Sequence, residues 1–198
     1  MPGFSIVLGT TCLLIIPFVE LYTRGVVDIN YINKPMALMI LLTVLFETIH
    51  IPSGQIIQMS GEFDAYKRMQ SISCIFLVVL MMIGRFTLGI YGIIGSVLGT
   101  AILIAIMEIY YTGKRIFNRK MRGFVVNTIP CFVVCGLMTI LGYSGIIKCP
   151  TYYMFLFEGI VGFIVSIVLS TILYFIVDSN GMKALIKRVI SSIRARTK

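Results

Sequence analysis

The feature that most constrains this chain is a run of apolar stretches with basic residues gathered in every second gap between them. A membrane-spanning helix needs about 20 mostly apolar residues. Six stretches reach that length, at roughly 4–21, 36–58, 70–88, 91–112, 124–142 and 152–177. In lipid each backbone amide must find its partner inside the protein, so stretches of this length are helices. Hydrophobic residues make up 58% of the chain and mean hydropathy is +0.99, which excludes a soluble domain with a large core. The expected fold is all-α. It is a polytopic transmembrane helix bundle of about six spans over 1–178, followed by a basic amphipathic tail over 179–198.

Lysine and arginine set the expected orientation. Lys67 and Arg68 follow the second span, and Lys114, Arg115, Arg119, Lys120 and Arg122 follow the fourth. The tail adds Lys183, Lys187, Arg188, Arg194, Arg196 and Lys198. Only Arg24, Lys34, Arg85 and Lys148 remain for the opposite side. This alternation predicts an even number of spans in the cell (inner) membrane, with both termini cytoplasmic. The net charge of +9 is then mostly a topology signal. No nucleic-acid partner is expected, because the chain has neither a domain-sized basic surface nor a binding motif. The partner is the bilayer.

Asp178-Ser179-Asn180-Gly181 reads as a helix stop. Beyond it, apolar residues at 182, 185, 186, 189, 190 and 193 follow helical spacing, with Lys183, Lys187, Arg188 and Arg194 elsewhere on the wheel. That pattern predicts an amphipathic helix lying on the anionic cytoplasmic leaflet. Gly92, Gly95 and Gly99, with Ser96, form a small-residue stripe on the fourth span, the usual device for close helix contact in lipid. The segment Arg85–Gly92 reads as the turn between spans three and four, and Pro17, Pro52 and Pro130 can each kink a helix. The five cysteines contain no CxxC pair and are expected to pack as small apolar residues.

The second span carries the chemistry. Thr43, Glu47, His50, Gly54 and Gln58 recur at three- and four-residue intervals, one polar stripe on an otherwise apolar helix. An ionisable residue within a span normally faces the protein interior or a water-filled cavity. Glu47 and His50 lie one turn apart on that face. Such a pair could share a proton, bind a cation, or form an internal hydrogen bond that fixes packing. Glu-x-x-His also resembles half of a di-metal carboxylate site, but that site needs a second copy and His50 is the one histidine in the chain, so no metal is expected. Glu108 on the fourth span and Glu158 on the sixth are the other intramembrane acids, and Arg85 stands at the outer rim. No polar cluster of the kind a membrane enzyme needs near an interface is evident, and the expectation is a non-enzyme with no catalytic residues.

Four segments carry a resemblance to a known family: Pro17–Tyr22, Gln58–Arg68, the Leu88-Gly89-Ile90-Tyr91-Gly92-Ile93-Ile94-Gly95 hairpin, and the basic loop Thr112–Phe117. In their order and spacing over about 1–120, they resemble the C-terminal part of polysaccharide (O-antigen) flippases, in the multidrug/oligosaccharidyl-lipid/polysaccharide exporter superfamily. The resemblance implies transport of a lipid-linked oligosaccharide by alternating access, coupled to H+ or Na+ and using no other cofactor. It places Glu47, His50 and Gln58 on a transport cavity, with Glu108 and Glu158 as further candidates and Arg85 near the anionic headgroup. Family members have two lobes and this chain resembles one, so a second chain supplying the other lobe is an expected partner. The alternatives are a small integral-membrane enzyme or accessory subunit of surface-polysaccharide synthesis, or an inactive remnant.

Overall fold

A computed structural model describes residues 2–24, 33–117, 122–145, 149, 151–177, 179 and 181, and side chains in the fifth helix from residue 126 onward. The amphipathic tail helix expected over 182–194 lies outside the described residues. Six helices follow in order: α1 Pro2–Tyr22, α2 Lys34–Met59, α3 Phe63–Leu88, α4 Ile90–Tyr111, α5 Arg122–Tyr143 and α6 Tyr152–Val177. A π-helical turn, Thr112–Ile116, extends α4. All six are long and apolar enough to cross a membrane. The protein is an all-α, multi-pass membrane protein.

The helices divide into two compact units, one of Met1–Tyr22 with Phe124–Lys198, the other Thr23–Gly123. The second unit holds α2, α3 and α4. Asn33 caps α2, its side chain accepting a hydrogen bond from the Met36 amide at 3.2 Å, with Pro35 in the first turn. Gly61, at φ 79°, turns the chain from α2 into α3. Between α3 and α4 the reversal is made by Gly89 alone, at φ 60°. The broader turn expected over Arg85–Gly92 is therefore helical on both sides of that glycine, because a residue without Cβ adopts the left-handed conformation cheaply.

Contacts fix the directions. Asn33 Nδ2 donates to the Tyr91 hydroxyl at 2.5 Å at one end, and the Thr112 hydroxyl donates to the Ser53 carbonyl at 3.3 Å at the other. α2 and α4 are thus parallel, and α3 runs antiparallel to α4. The expected small-residue stripe does its work here: Gly95 faces Met39 of α2, and Gly99 faces Leu80 of α3. The closest approach is between Gly84 and Gly92, where a Cβ on Gly84 would stand 2.5 Å from the Gly92 carbonyl oxygen.

In the other unit α1 runs antiparallel to α6 along a seam of hydroxyls. Ser5 and Ser170 share a hydrogen bond at 2.7 Å, Thr10 donates to Ser166 at 3.3 Å, and Phe18 meets Phe155 with ring centroids 5.8 Å apart. α5 packs on α1 through Gly142, where a Cβ would lie 2.6 Å from the Leu13 carbonyl oxygen. Cys12, Cys131 and Cys135 are all buried in this core. Small side chains at these contacts fit an environment in which lipid offers no hydrophobic drive between helices and close packing must hold them together.

Gly92→Leu should push α3 and α4 apart and lower stability by about 1–3 kcal/mol, the usual range for overpacking. The thermal midpoint of the detergent-purified chain reads this directly. Gly136→Ala, whose Cβ would meet nothing within 4 Å, should leave the midpoint unchanged or raise it. Equal midpoints for Gly92→Leu and the parent chain would mean the Gly84–Gly92 contact does not form.

Candidate functional site

The polar stripe of α2 does not act as one surface. The buried face of α2 is Leu41, Leu45, Ile49, Ser53 and Ile57, with His50 and Gly54 beside it. Residues four apart advance by about 40° around a helix, so the buried row 41, 45, 49, 53 and 57 slants across α2 and borders His50 and Gly54, while Glu47 and Gln58 lie beyond them on the flank. Glu47 and Gln58 are consequently exposed, while His50 and Gly54 are covered. Thr43 bonds within its own helix, to the Met39 carbonyl at 2.9 Å.

His50 meets a carboxylate on each side of its ring. Nδ1 lies 2.9 Å from Glu108 Oε2, and Nε2 lies 3.1 Å from Glu47 Oε2. The other oxygen of Glu108 accepts a hydrogen bond from Gln70 Nε2 at 3.3 Å. Four side chains from three helices therefore form one line: Gln70 of α3, Glu108 of α4, then His50 and Glu47 of α2. Burial is graded along it. The Glu108 side chain is 0% exposed, His50 11% and Glu47 52%.

Two backbone features make room for this line. A Cβ on Gly54 would stand 2.7 Å from Glu108 Oε2 and 3.4 Å from the Tyr66 ring, so the bare glycine is what admits the carboxylate between α2 and α4. Pro52, two residues after His50, has no N–H to offer the Thr48 carbonyl, which interrupts the helix ladder in the same turn. Just beyond Glu108, α4 passes into its π turn, a distortion that recurs at functional sites.

A neutral imidazole offers one donor and one acceptor, whereas a protonated one offers two donors. With a carboxyl group at each nitrogen, the centre has two arrangements with the same number of protons. In one, a protonated ring donates to two carboxylates. In the other, the ring is neutral and one carboxyl donates to it. A proton can pass between the exposed Glu47 and the buried Glu108 through the ring, with no change in total charge for either transfer step.

The remaining predicted residues stand elsewhere. Gln58 is exposed in the last turns of α2, about 12 Å along the helix from His50. Arg85 is exposed near the end of α3, about 22 Å along that helix from Gln70. Glu158 is half-buried on α6, in the other unit. Among the described residues, no group of three or more His, Cys, Asp or Glu side chains could hold a metal ion. Gln70 and Tyr66 were not singled out in the sequence, although one signal was present. Gln70 and Glu108 are equally distant from Gly89, so a tight hairpin at that glycine brings them face to face.

These features describe a multi-pass membrane protein with an imidazole held between two carboxyl groups inside a three-helix unit. No family model matches the chain, and no curated protein and no solved structure matches it.

Removing one partner of a buried ion pair strands the other, at a cost of about 3–5 kcal/mol. His50→Leu should therefore destabilise the protein more than the double variant His50→Leu/Glu108→Met, which removes both groups. Unfolding midpoints of the two proteins in one detergent test this. Simple additivity of the two single substitutions would show that Glu108 does not depend on His50.

Proposed function

We propose that this chain is a proton-coupled membrane transporter that moves a lipid-linked oligosaccharide across the cytoplasmic membrane, with both termini on the cytoplasmic side. The observation that carries the transport reading is the buried Glu108–His50 pair with its outlet at Glu47. An ionisable side chain inside a spanning helix is costly, and such residues typically mark ion pathways and proton relays; Glu47 and His50 stand in the middle of α2, and Glu108 in the last turn of α4. The graded burial from Glu47 to Glu108 suits a relay better than a purely structural clamp, which would cover both acids equally. The substrate class rests on the resemblance to polysaccharide flippases over about 1–120, carried by the succession of Pro17–Tyr22, Gln58–Arg68, the Leu88–Gly95 hairpin and the basic loop Thr112–Phe117.

In this reading the α2–α4 unit supplies the coupling step. Glu47 takes a proton from the exposed side, His50 passes it inward from Nε2 to Nδ1 by exchange at its two nitrogens, and Glu108 Oε2 receives it. Protonation removes the charge of Glu108 and weakens its hold on His50 and Gln70. That frees α2, α3 and α4 to rearrange around the Pro52 and Gly54 turn, and loss of the proton restores the first packing. What favours transporter over enzyme chemistry in this reading is that the groups of the centre face one another, disposed to exchange protons among themselves.

The test is export of surface polysaccharide in cells relying on the protein as their flippase, with membrane levels checked by immunoblot. Allosteric couplings of about 1–3 kcal/mol correspond to roughly 5–150-fold effects. Glu108→Gln, whose amide can still meet His50 and Gln70, should accordingly lower export about tenfold or more at unchanged protein level, His50→Ala should lower export beyond any fall in protein level, and Gln58→Ala should have little effect. Normal export in both Glu108→Gln and His50→Ala would remove the relay. Loss of the protein itself in both variants would favour the structural clamp.

In proteoliposomes, flipping of a lipid-linked oligosaccharide should accelerate when a pH gradient is imposed, and Glu47→Gln should abolish that acceleration. Flipping that ignores the gradient would contradict proton coupling while leaving the substrate assignment standing.

A further inference from the structure

Between Met39 and Gln58 the exposed residues of α2 are Ile40, Val44, Glu47, Ile51, Gln55 and Gln58. At about 100° per residue they fall within roughly 80° of arc, so they form one face. It lies across the helix from the buried Leu45, Ile49 and Ser53. Glu47 is midway between Lys34 and Met59, the ends of α2, and its side chain is 52% exposed. A carboxyl group so open cannot face acyl chains at that depth, because hydrocarbon offers it no hydrogen bond. Something polar lies against it.

The two halves of the face differ in chemistry. Toward Asn33 the next exposed positions are Val44 and Ile40, both apolar. Toward Met59 they are Ile51, Gln55 and Gln58. Gln55 is about 12 Å along the helix from Glu47 and Gln58 about 16 Å. Half of a hydrocarbon core is about 15 Å, so Gln55 stands inside it and Gln58 at its boundary. Neither glutamine side chain has a hydrogen-bond partner among the described residues. Thr43 and Thr48, on the flanks of the face, spend their hydroxyls on the Met39 and Val44 carbonyls. A partner helix covering the whole face could meet polar groups in either half. Water enters from an end and favours polar groups in the half through which it enters.

We infer that the Gln58, Gln55 and Ile51 half of this face lines a water-filled inlet that stops at Glu47. The inlet opens at the end of the unit where Tyr111 donates to Glu62, beside the basic residues Lys67, Arg68, Lys114 and Arg115. Glu47 then exchanges protons with the basic-loop side of the membrane and not with the other. The titratable groups facing that proton are His50 and, through its ring, Glu108. Gln58 stands at the mouth, where headgroup water is present whatever the side chain, in keeping with the small effect expected of Gln58→Ala. The proton exchange rests on the relay reading, whereas the inlet rests on the exposure and chemistry of the face alone.

Thiol labelling in membrane vesicles tests the inlet, using the full chain with Cys74→Ser and Cys149→Ser. The cysteines that remain, Cys12, Cys131 and Cys135, are buried. A charged methanethiosulfonate reacts with thiolate in water. A thiol among acyl chains keeps its proton, and its thiolate falls by about a thousandfold. Lys114→Cys and Arg85→Cys, at exposed positions, identify the basic-loop side and the opposite side. Gln55→Cys and Ile51→Cys should label from the Lys114 side and not from the Arg85 side. Val44→Cys and Ile40→Cys should label from neither. All four positions are exposed, and each half of the face supplies two variants should one not insert. Absence of labelling at both Gln55→Cys and Ile51→Cys would overturn the proposal, by showing that lipid or protein covers the face. Labelling of Ile51→Cys from the Arg85 side, or of Val44→Cys from either side, would overturn its one-ended opening. Labelling needs no transport, so this pattern alongside normal export in Glu108→Gln would remove the relay and leave the inlet. Impaired export in Glu108→Gln without the pattern would remove the inlet and leave the relay.

Discussion

The hydrogen bond between His50 Nδ1 and Glu108 Oε2, 2.9 Å long and covered on all sides, is the interaction on which the Thr23–Gly123 unit depends. A carboxylate with no exposed surface inside a membrane helix is tolerable only if its lone pairs are met. Here both oxygens are met, one by His50 and one by Gln70. Each of the three helices must therefore keep its register for the centre to exist. The Gly89 hairpin sets the register of α3 against α4. The Asn33–Tyr91 and Thr112–Ser53 bonds set that of α2 against α4.

The two units solve the packing problem in different ways. The unit of α1, α5 and α6 uses hydroxyl pairs, buried thiols and glycines, and among the described residues its fully buried polar side chains are hydroxyls and thiols, as in the Ser5–Ser170 pair. The unit of α2, α3 and α4 carries ionisable groups instead. Neutral seams add modest energy in a membrane, about 0.6 kcal/mol per interhelical hydrogen bond on average. An ionisable centre stores a much larger difference between its protonation states, and it sits in the unit whose α2 helix is interrupted by Pro52 beside the imidazole. Chemistry and flexibility of the helix ladder coincide in the same turn.

Much of this was legible in the sequence. Five of the six spans were readable to within a few residues, because about twenty apolar residues in succession have one structural outcome in lipid. α3 instead begins at Phe63, seven residues before the expected 70, since its first two turns carry Asp64, Lys67 and Arg68 and break the apolar run. His50 and Glu47 were readable as a pair because helical spacing alone brings them together. Glu108 was recognisable as an intramembrane acid, but its partners were not, since they depend on which helices pack and in what register. The equal spacing of Gln70 and Glu108 about Gly89 would have shown that pairing had the turn been taken as one residue in place of the eight of Arg85–Gly92. The division of the α2 stripe into covered and exposed residues was not readable either. It depends on which side α4 takes, and the apolar residues all round α2 do not reveal that.

The presence of a single histidine in the chain makes the central claim open to one direct measurement. Nitrogen-15 NMR of histidine-labelled protein in lipid reports His50 alone. A proton relay through His50 requires a ring in which both nitrogens carry or share a proton, with Glu108→Gln shifting the Nδ1 signal and Glu47→Gln the Nε2 signal. A spectrum of an ordinary neutral tautomer, unchanged by either substitution, would contradict the relay.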